Sequence, residues 1–128
     1  MADLRPIVKR EEQEMKVFDL VNEFKLIVYS GEAGLNNNVK GGYVSDLLSD
    51  VIGHAKEGDV WITLQTHQNV MAVASLKDLA AVILVKGFEP GVDTVETSNN
   101  ESVPVLGTKM DTFEIAGKLY QFFANEGK

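Results

Sequence analysis

The sequence contains no cysteine, which excludes disulfide bonds, a thiolate nucleophile, and zinc or iron–sulfur sites with cysteine ligands. Basic side chains are also few: 12 lysines and arginines stand against 19 acidic residues, for a formal net charge of −7. A charge of this sign repels polyanions and leaves no basic stripe for a phosphate backbone, so we expect no nucleic-acid partner. Small anions are not excluded, because backbone N–H groups at helix N-termini attract phosphate or carboxylate locally.

Long hydrophobic runs are missing as well. The apolar runs reach only about five to eight residues, too short to span a bilayer, and the first residues lack the apolar core of a signal peptide. We therefore predict a cytoplasmic protein without membrane contact. The sequence also lacks Gly-x-x-x-x-Gly-Lys-Ser/Thr and Gly-x-Ser-x-Gly, which excludes a P-loop and a nucleophile elbow.

With 128 residues, 45% of them hydrophobic, the chain can bury the core of one domain. Short runs rich in Val, Ile, Leu and aromatic residues alternate with helical patterns, which predicts parallel strands joined by crossover helices. We expect an α/β fold, a three-layer α/β/α sandwich with a mostly parallel central sheet. The predicted strands are residues 26–29, 43–44, 60–64, 81–85 and 103–107.

Helical patterns are predicted over residues 15–24, from residue 45 or 46 to 52, over 70–76, and over 113–123, where Asp111 and Glu114 resemble a capping box. Residues 92–100 predict only a weak, polar surface helix. Pro104 favours an edge position for the last strand, or a place among that strand's first residues. Residues 1–14 are charged and mixed, so we predict a flexible amino-terminal extension and a folded domain over 15–125.

Three segments carry a resemblance to a known family. Residues 41–50 (GGYVSDLLSD), 58–69 (GDVWITLQTHQN) and 114–120 (EIAGKLY) resemble the DRTGG domain, a module similar to the amino-terminal half of bacterial HPr kinase/phosphorylase. The Asp, Arg and Thr of its signature fall on Asn36, Asn37 and Lys40, and only Gly41 and Gly42 are unchanged. We expect a turn that depends on these two glycines to be kept.

The resemblance implies a regulatory or assembly role. The family also occurs beside CBS domains in some pyrophosphatases and inside some phosphotransacetylases, and HPr kinase catalysis lies in a separate P-loop domain that has no counterpart in this sequence. We therefore expect no catalytic residue, no cofactor and no metal.

Polar residues follow three of the predicted strands. In an open α/β sheet, ligands bind beyond the carboxyl ends of the strands, so the loops after strands two, three and four should face one another. They suit a small phosphorylated or carboxylated ligand, and the alternative is that Ser45, Asp46 or Thr66 caps a helix amid ordinary loop polarity. The predicted ligand-binding residues are Gly41, Gly42, Ser45, Asp46, Gln65, Thr66, His67, Gln68, Asn69 and Lys86.

Two groups of titratable residues invite a catalytic or metal interpretation. His67 has an ordinary pKa suited to a general base, but no carboxylate next to it in the sequence orients it. Asp46, Asp50 and His54 follow at i, i+4 and i+8, the spacing of one helix face, although Gly53 interrupts that face. A ligand-contacting or structural histidine and a solvated acidic face are the interpretations we prefer.

The sequence thus favours a non-catalytic regulatory or interaction module that senses a nucleotide or another small anionic metabolite and acts as a homodimer. Its small size and the backbone-contact points at Tyr43 and the glycine pair favour the homodimer. One alternative is a small phosphate-handling enzyme that uses His67 with Asp46 or Asp50, which requires contact within about 3 Å or through one water. Another is a structural assembly adaptor that binds an unknown protein partner through an exposed apolar patch.

Overall fold

A computed structural model describes residues 14–126, in which helices and strands alternate along the chain. The predicted extension lies outside the described residues except for Glu14. A 3₁₀ turn, Glu32–Gly34, follows the first strand. The strands are β1 Ile27–Ser30, β2 Gly41–Val44, β3 Asp59–Thr63, β4 Ala81–Leu84 and β5 Val105–Gly107, and the helices are α1 Val17–Phe24, α2 Leu48–His54, α3 Asn69–Leu76, α4 Val92–Glu101 and α5 Thr112–Glu126.

The strands form one five-stranded sheet in the order β1-β5-β4-β3-β2. The pairs β2–β3, β3–β4 and β4–β5 are parallel, whereas β1 runs antiparallel to β5. Tyr43 lies opposite Trp61, which in turn lies opposite Val82. The predicted mostly parallel sheet is confirmed, and β2 and β1 form its two edges.

Helices cover both faces of the sheet. On one face, α1 and α5 pack on side chains of β3, β4 and β5 such as Ile62, Ile83 and Leu106. On the other face, α2 and α3 pack on Trp61 and Val82, and α4 lies beside α3. Because helices cover β3 and β4 on both faces, every residue in them is buried, as expected for central parallel strands. The three-layer α/β/α architecture is thereby confirmed.

Helix α4 is a regular ten-residue helix although its sequence is polar. Its buried positions are Thr94 and Ser98. The Ser98 hydroxyl donates to the Val103 carbonyl (2.6 Å) and accepts from the Ser30 hydroxyl (2.8 Å). Hydrogen bonds therefore dock this helix where apolar side chains dock the others, which is why the sequence predicted only a weak surface helix here and not the burial of Thr94 and Ser98.

Two expectations about strand ends are resolved by the sheet. Pro104 precedes β5, which lies between β1 and β4, so the proline stands at the start of an interior strand and not on an edge. Gly41 and Gly42 are the first residues of β2, and neither has a positive φ. The expected glycine-dependent turn is wrong, because both residues adopt ordinary extended geometry.

In the described part of the chain, no helix combines the length and the apolar character needed to cross a membrane.

Replacing Ser98 tests the hydrogen-bonded docking of α4. In Ser98→Ala the Ser30 hydroxyl and the Val103 carbonyl lose their partner while buried, which we expect to lower the free energy of unfolding by about 1–3 kcal/mol. Urea denaturation measures the change. Asn100→Ala, at an exposed position of the same helix, is the control, and an equal shift in both variants would contradict this account.

Candidate functional site

Three loops meet at the carboxyl edge of the sheet because β2, β3 and β4 are adjacent and parallel. We call this edge the rim and define it as residues 45–47, 64–69 and 86–88. The loop after β5 reaches the same edge, since β5 is parallel to β4. The sheet therefore brings together the polar segments that follow three separate strands.

Asp46 joins the first two rim loops. Its Oδ1 accepts hydrogen bonds from the Thr63 hydroxyl (2.9 Å) and the Leu64 N–H (2.8 Å). Its backbone carbonyl accepts from Nε2 of Gln65 (2.7 Å). Asp46 does not cap α2, which begins at Leu48 without a side-chain cap. The carboxylate instead holds the loop after β2 against the end of β3.

Ser45 has a similar bracing role. Its carbonyl accepts from Nε1 of Trp61 (2.7 Å), and its hydroxyl accepts from the Leu47 N–H (3.1 Å). The predicted helix cap is thus an ST-turn over residues 45–47, immediately before the helix. The indole hydrogen bond satisfies the one polar group of the largest buried side chain in the described chain.

An open groove of about 710 Å³ lies between the rim segment 66–69 and residues 91–94. One wall is formed by residues 66–69, which lead into α3, and the other by residues 91–94 at the start of α4. The Thr66 carbonyl accepts from the Thr94 hydroxyl (2.8 Å) and from the Gly91 N–H (3.4 Å), which joins the two walls. Thr66 is therefore not the predicted N-cap, a position that Gln68 occupies without a side-chain hydrogen bond.

Residues 91–94 were not among the ligand-binding residues predicted from the sequence, because the helix that they begin is polar. A signal was present, since Pro90-Gly91 precedes this helix and Asp93 lies in its first turn. The N-termini of α3 and α4 both open into the groove. In α3 the N–H groups of Val70 and Met71 already donate to the carbonyls of His67 and Gln68 (3.0 and 2.9 Å), so the positive character of this end comes from the helix dipole.

Lys86 is exposed on the rim but does not line the groove. Its N–H donates to the Met110 carbonyl (2.9 Å), and the Gly87 N–H donates to the Thr108 carbonyl (2.9 Å), so the loops after β4 and β5 are joined. Gly41 and Gly42 lie at the other end of β2. The structure thus brings Asp46 and Gln65 together and places residues 66–69 on one wall, but separates the glycine pair from them.

No catalytic pair forms around His67. Within residues 14–126, this exposed side chain makes no hydrogen bond or ion pair with Asp46 or Asp50. Asp50 instead accepts from the Tyr43 hydroxyl (2.9 Å) and lies 3.2 Å from Nδ1 of His54. The described residues also contain no cluster of three or more His, Asp or Glu side chains arranged for a metal ion. Asp46 precedes α2, so it does not share a helix face with Asp50 and His54.

Hydroxyl groups perturb the titration of Asp50. Hydrogen bonds from Ser45 and Tyr43, together with the charge of His54, hold the pKa of the Asp50 carboxyl below its ordinary value of 3.8. Partial desolvation and the neighbouring Asp50 raise the pKa of Tyr43 above its ordinary value of 10.0. The contact braces β2 against α2 with Asp50 charged and Tyr43 neutral.

The positions that correspond to the DRTGG signature lie at the opposite, amino-terminal edge of the sheet. Nδ2 of Asn37 donates to the carbonyls of Ala80 and Ser102, both at 3.2 Å. Lys40 lies 3.8 Å from Glu57 in an exposed ion pair. Asn37 and Lys40 line a cavity of about 440 Å³ there. Asn37 therefore acts as a brace between three segments, remote from the rim.

Comparison with known proteins agrees with this architecture. The model of the DRTGG domain family matches residues 19–122. A crystal structure of the CBS and DRTGG domains of the regulatory region of Clostridium perfringens pyrophosphatase, complexed with the activator diadenosine tetraphosphate, superposes with a TM-score of 0.63 at 16% sequence identity. The match covers 93% of this chain and 50% of the other, so the chain spans half the length of that structure.

Among curated proteins, none matches this chain significantly. The likeness to the amino-terminal half of HPr kinase/phosphorylase stays a prediction.

Removing one hydroxyl tests the cause of the Asp50 shift. In Tyr43→Phe we expect the pKa of Asp50 to rise toward its ordinary value, as followed by carboxyl-carbon NMR over a pH titration. Because the folded-state pKa is lowered, the stabilisation from charged Asp50 is present above the unfolded pKa and is lost as the pH falls through the folded one. The Tyr43→Phe variant should therefore lose less unfolding free energy than the wild type when the pH is lowered. The control Tyr29→Phe, on β1, should change neither the pKa of Asp50 nor this loss.

The Asn37 brace gives a second test. Asn37→Ala leaves the Ala80 and Ser102 carbonyls without this donor, which we expect to cost about 1–3 kcal/mol of unfolding free energy. Its exposed neighbour supplies the control, Asn36→Ala, which should stay within about 0.5 kcal/mol of the wild type by chemical denaturation. A wild-type stability of the Asn37 variant would show that the two carbonyls find other partners.

Proposed function

Because the chain belongs to the DRTGG domain family, we propose that it is a non-catalytic regulatory module that senses a nucleotide or another small anionic metabolite at the rim. We further propose that it acts as a homodimer in the cytoplasm. The observation that carries the ligand-binding part is the groove between residues 66–69 and 91–94, into which two helix N-termini open.

Electrostatics favour an anion in this groove despite the net charge of −7. Each helix N-terminus carries roughly half a positive charge, and the field of two such termini acts locally. The exposed side chains of His67, Gln68 and Asn69 add hydrogen-bond donors on one wall. Lys86 supplies a full positive charge elsewhere on the same rim.

A carboxylate in the groove makes a nucleotide a better ligand than free phosphate. Asp93 lies on the α4 wall, where it repels a bare anion but can accept a hydrogen bond from a ribose hydroxyl or a base amino group. A ligand with phosphate at one end and hydroxyl or amino donors at the other satisfies both walls. The pyrophosphatase regulatory region with the same fold is complexed with a dinucleotide, which supports the choice of this ligand class.

The lack of an assembled acid–base pair supports a binding role over catalysis. General acid–base chemistry requires a base held by an orienting partner within hydrogen-bond reach of the substrate. In the described part of the chain, His67 has no such partner, while the carboxylates of Asp46 and Asp50 are engaged in bracing loops. The geometry therefore does not support a phosphate-handling enzyme. Gly41 and Gly42 lie at the opposite end of β2, too far away to contribute to a binding site at the rim.

Ligand-induced stabilisation tests the proposed function. At ten times its dissociation constant, a ligand stabilises the folded state by about 1.4 kcal/mol, which raises the melting temperature by about 3–6 °C for a domain of this size. We expect such a rise with diadenosine tetraphosphate, ATP or ADP at millimolar concentration, and a smaller one with inorganic phosphate. None of the nucleotides should be hydrolysed by the wild-type chain.

Two histidine variants locate the effect. His67→Ala should reduce the nucleotide-induced rise, whereas His54→Ala, on α2, should leave it intact. No rise with any of these compounds, or the same rise in both variants, would refute the rim as the site. The homodimer is tested separately by sedimentation, in which a 14.0 kDa species at every micromolar concentration would refute it.

A further inference from the structure

Helix α5 has two apolar faces, and the described residues cover only one of them. Ile115 and Leu119 face the core and are buried. On the other side, Phe113 is 91% exposed and Tyr120 is 78% exposed. Gly117 lies four residues after Phe113 and three residues before Tyr120, and this spacing aligns the three residues along one face of the helix. Phe113, Gly117 and Tyr120 thus form an uncharged seam in contact with solvent.

The seam residues Phe113, Gly117 and Tyr120 form part of the wall of an apolar groove of about 410 Å³ between α5 and β2. Val44, Ile62 and Phe123 contribute apolar side chains to it, and none of its lining residues is charged. Gly42 and Gly117 also line the groove, which is open where these two residues lack side chains. The described chain leaves the groove empty next to a fully protruding Phe113.

No contact within the described chain requires a glycine at position 117. A Cβ atom added there would meet nothing within 4 Å, and Gly117 has no positive φ. A glycine inside a helix costs about 0.5–1 kcal/mol relative to alanine. That cost is understandable if another polypeptide approaches the helix closely at this point.

The groove continues onto the β2 edge of the sheet, which has no further paired strand among residues 14–126. Strand β2 pairs only with β3, so the backbone groups on its outer side are free along Gly41–Val44 in the described chain. The stretch has no charged residue and no proline, the usual protections against edge-to-edge pairing. Residues 15–17 run antiparallel beside residues 37–39, where the Val39 N–H donates to the Met15 carbonyl (2.8 Å) and the Val17 N–H to the Asn37 carbonyl (3.1 Å), and the described pairing ends before Gly41.

The size and charge of this surface fit a second copy of the chain. Large aromatic side chains bury about 150–250 Å² each, so Phe113 and Tyr120 alone offer about half of the roughly 800 Å² per partner of a standard interface. Two copies that each carry a charge of −7 repel one another on average, and therefore associate best through uncharged faces. A knob and a recess on one face also suit a twofold contact, in which each residue i meets j and j meets i.

We propose that the exposed faces of β2 and α5 form the contact of the homodimer, with the Phe113 side chain of each copy seated in the α5–β2 groove of the other. This inference rests on the proposed homodimer and adds its location. The two β2 strands then pair antiparallel across the twofold axis, and the two α5 helices cross near Gly117.

Sedimentation velocity of the full chain, from low to high micromolar concentration, tests this contact. Phe113→Glu should weaken the dimer by about 30-fold or more, the loss expected for one interface hot spot. Gly117→Gln should also weaken it but leave the melting temperature of the dilute monomer equal or higher, because glutamine is the better helix former. Leu76→Glu is the matched control, since this leucine is 67% exposed on α3, on the opposite face of the sheet.

A covalent test uses the absence of cysteine from the sequence. Under mild oxidation, Gly117→Cys should form a disulfide-linked dimer because position 117 lies near the twofold axis, whereas Leu76→Cys should stay monomeric on a denaturing gel.

The outcomes separate this inference from the proposal on which it rests. A wild-type dimer that persists in Phe113→Glu and Gly117→Gln would overturn the contact but leave the homodimer standing. A wild-type monomer would overturn both, without affecting nucleotide binding at the rim. A monomer whose melting temperature falls in Phe113→Glu would show that the groove is filled from within the same chain, which also overturns the proposal.

Discussion

Burial of β3 and β4 on both faces is the constraint from which the rest of the structure follows. Their backbone groups need a paired strand on each side, and their apolar side chains need a helix layer above and below. Parallel crossover connections meet both needs, and they return the chain so that successive strands end at the same edge. The rim exists because the core is built in this way.

Many polar groups of the rim are already engaged in hydrogen bonds that hold the loops together. Asp46 and Ser45 hold loops to β3 and Trp61, and Asp50 is held by Tyr43. What remains available to a ligand is the part that no other element engages, namely the wall formed by residues 66–69 and the one formed by the start of α4. Polar residues that brace loops and polar residues that line the groove thus lie in neighbouring segments of one edge.

The carboxyl ends and the amino ends of the strands differ in the groups that surround them. The carboxyl edge joins helix N-termini to exposed donors, whereas the amino edge holds the DRTGG-signature positions in a brace built on Asn37. At the lateral edge, the groove between β2 and α5 is lined by uncharged residues. A module that senses a ligand at one surface and associates through another requires such a separation, because the two contacts then do not compete.

Local periodicity was sufficient to predict all five strands, the helices with apolar faces and the Asp111 cap, which accepts from the Glu114 N–H. These features depend on neighbours a few residues apart. It predicted only a weak surface helix over residues 92–100, because Ser98 is buried against a partner 68 positions away. It also could not predict that Asp46 turns toward Leu64 instead of capping its own helix. The sequence by itself determined the layers and the edge at which the loops meet. Only the tertiary structure decided which polar groups stay free and which face stays uncovered, because both depend on what distant segments bring to the same place.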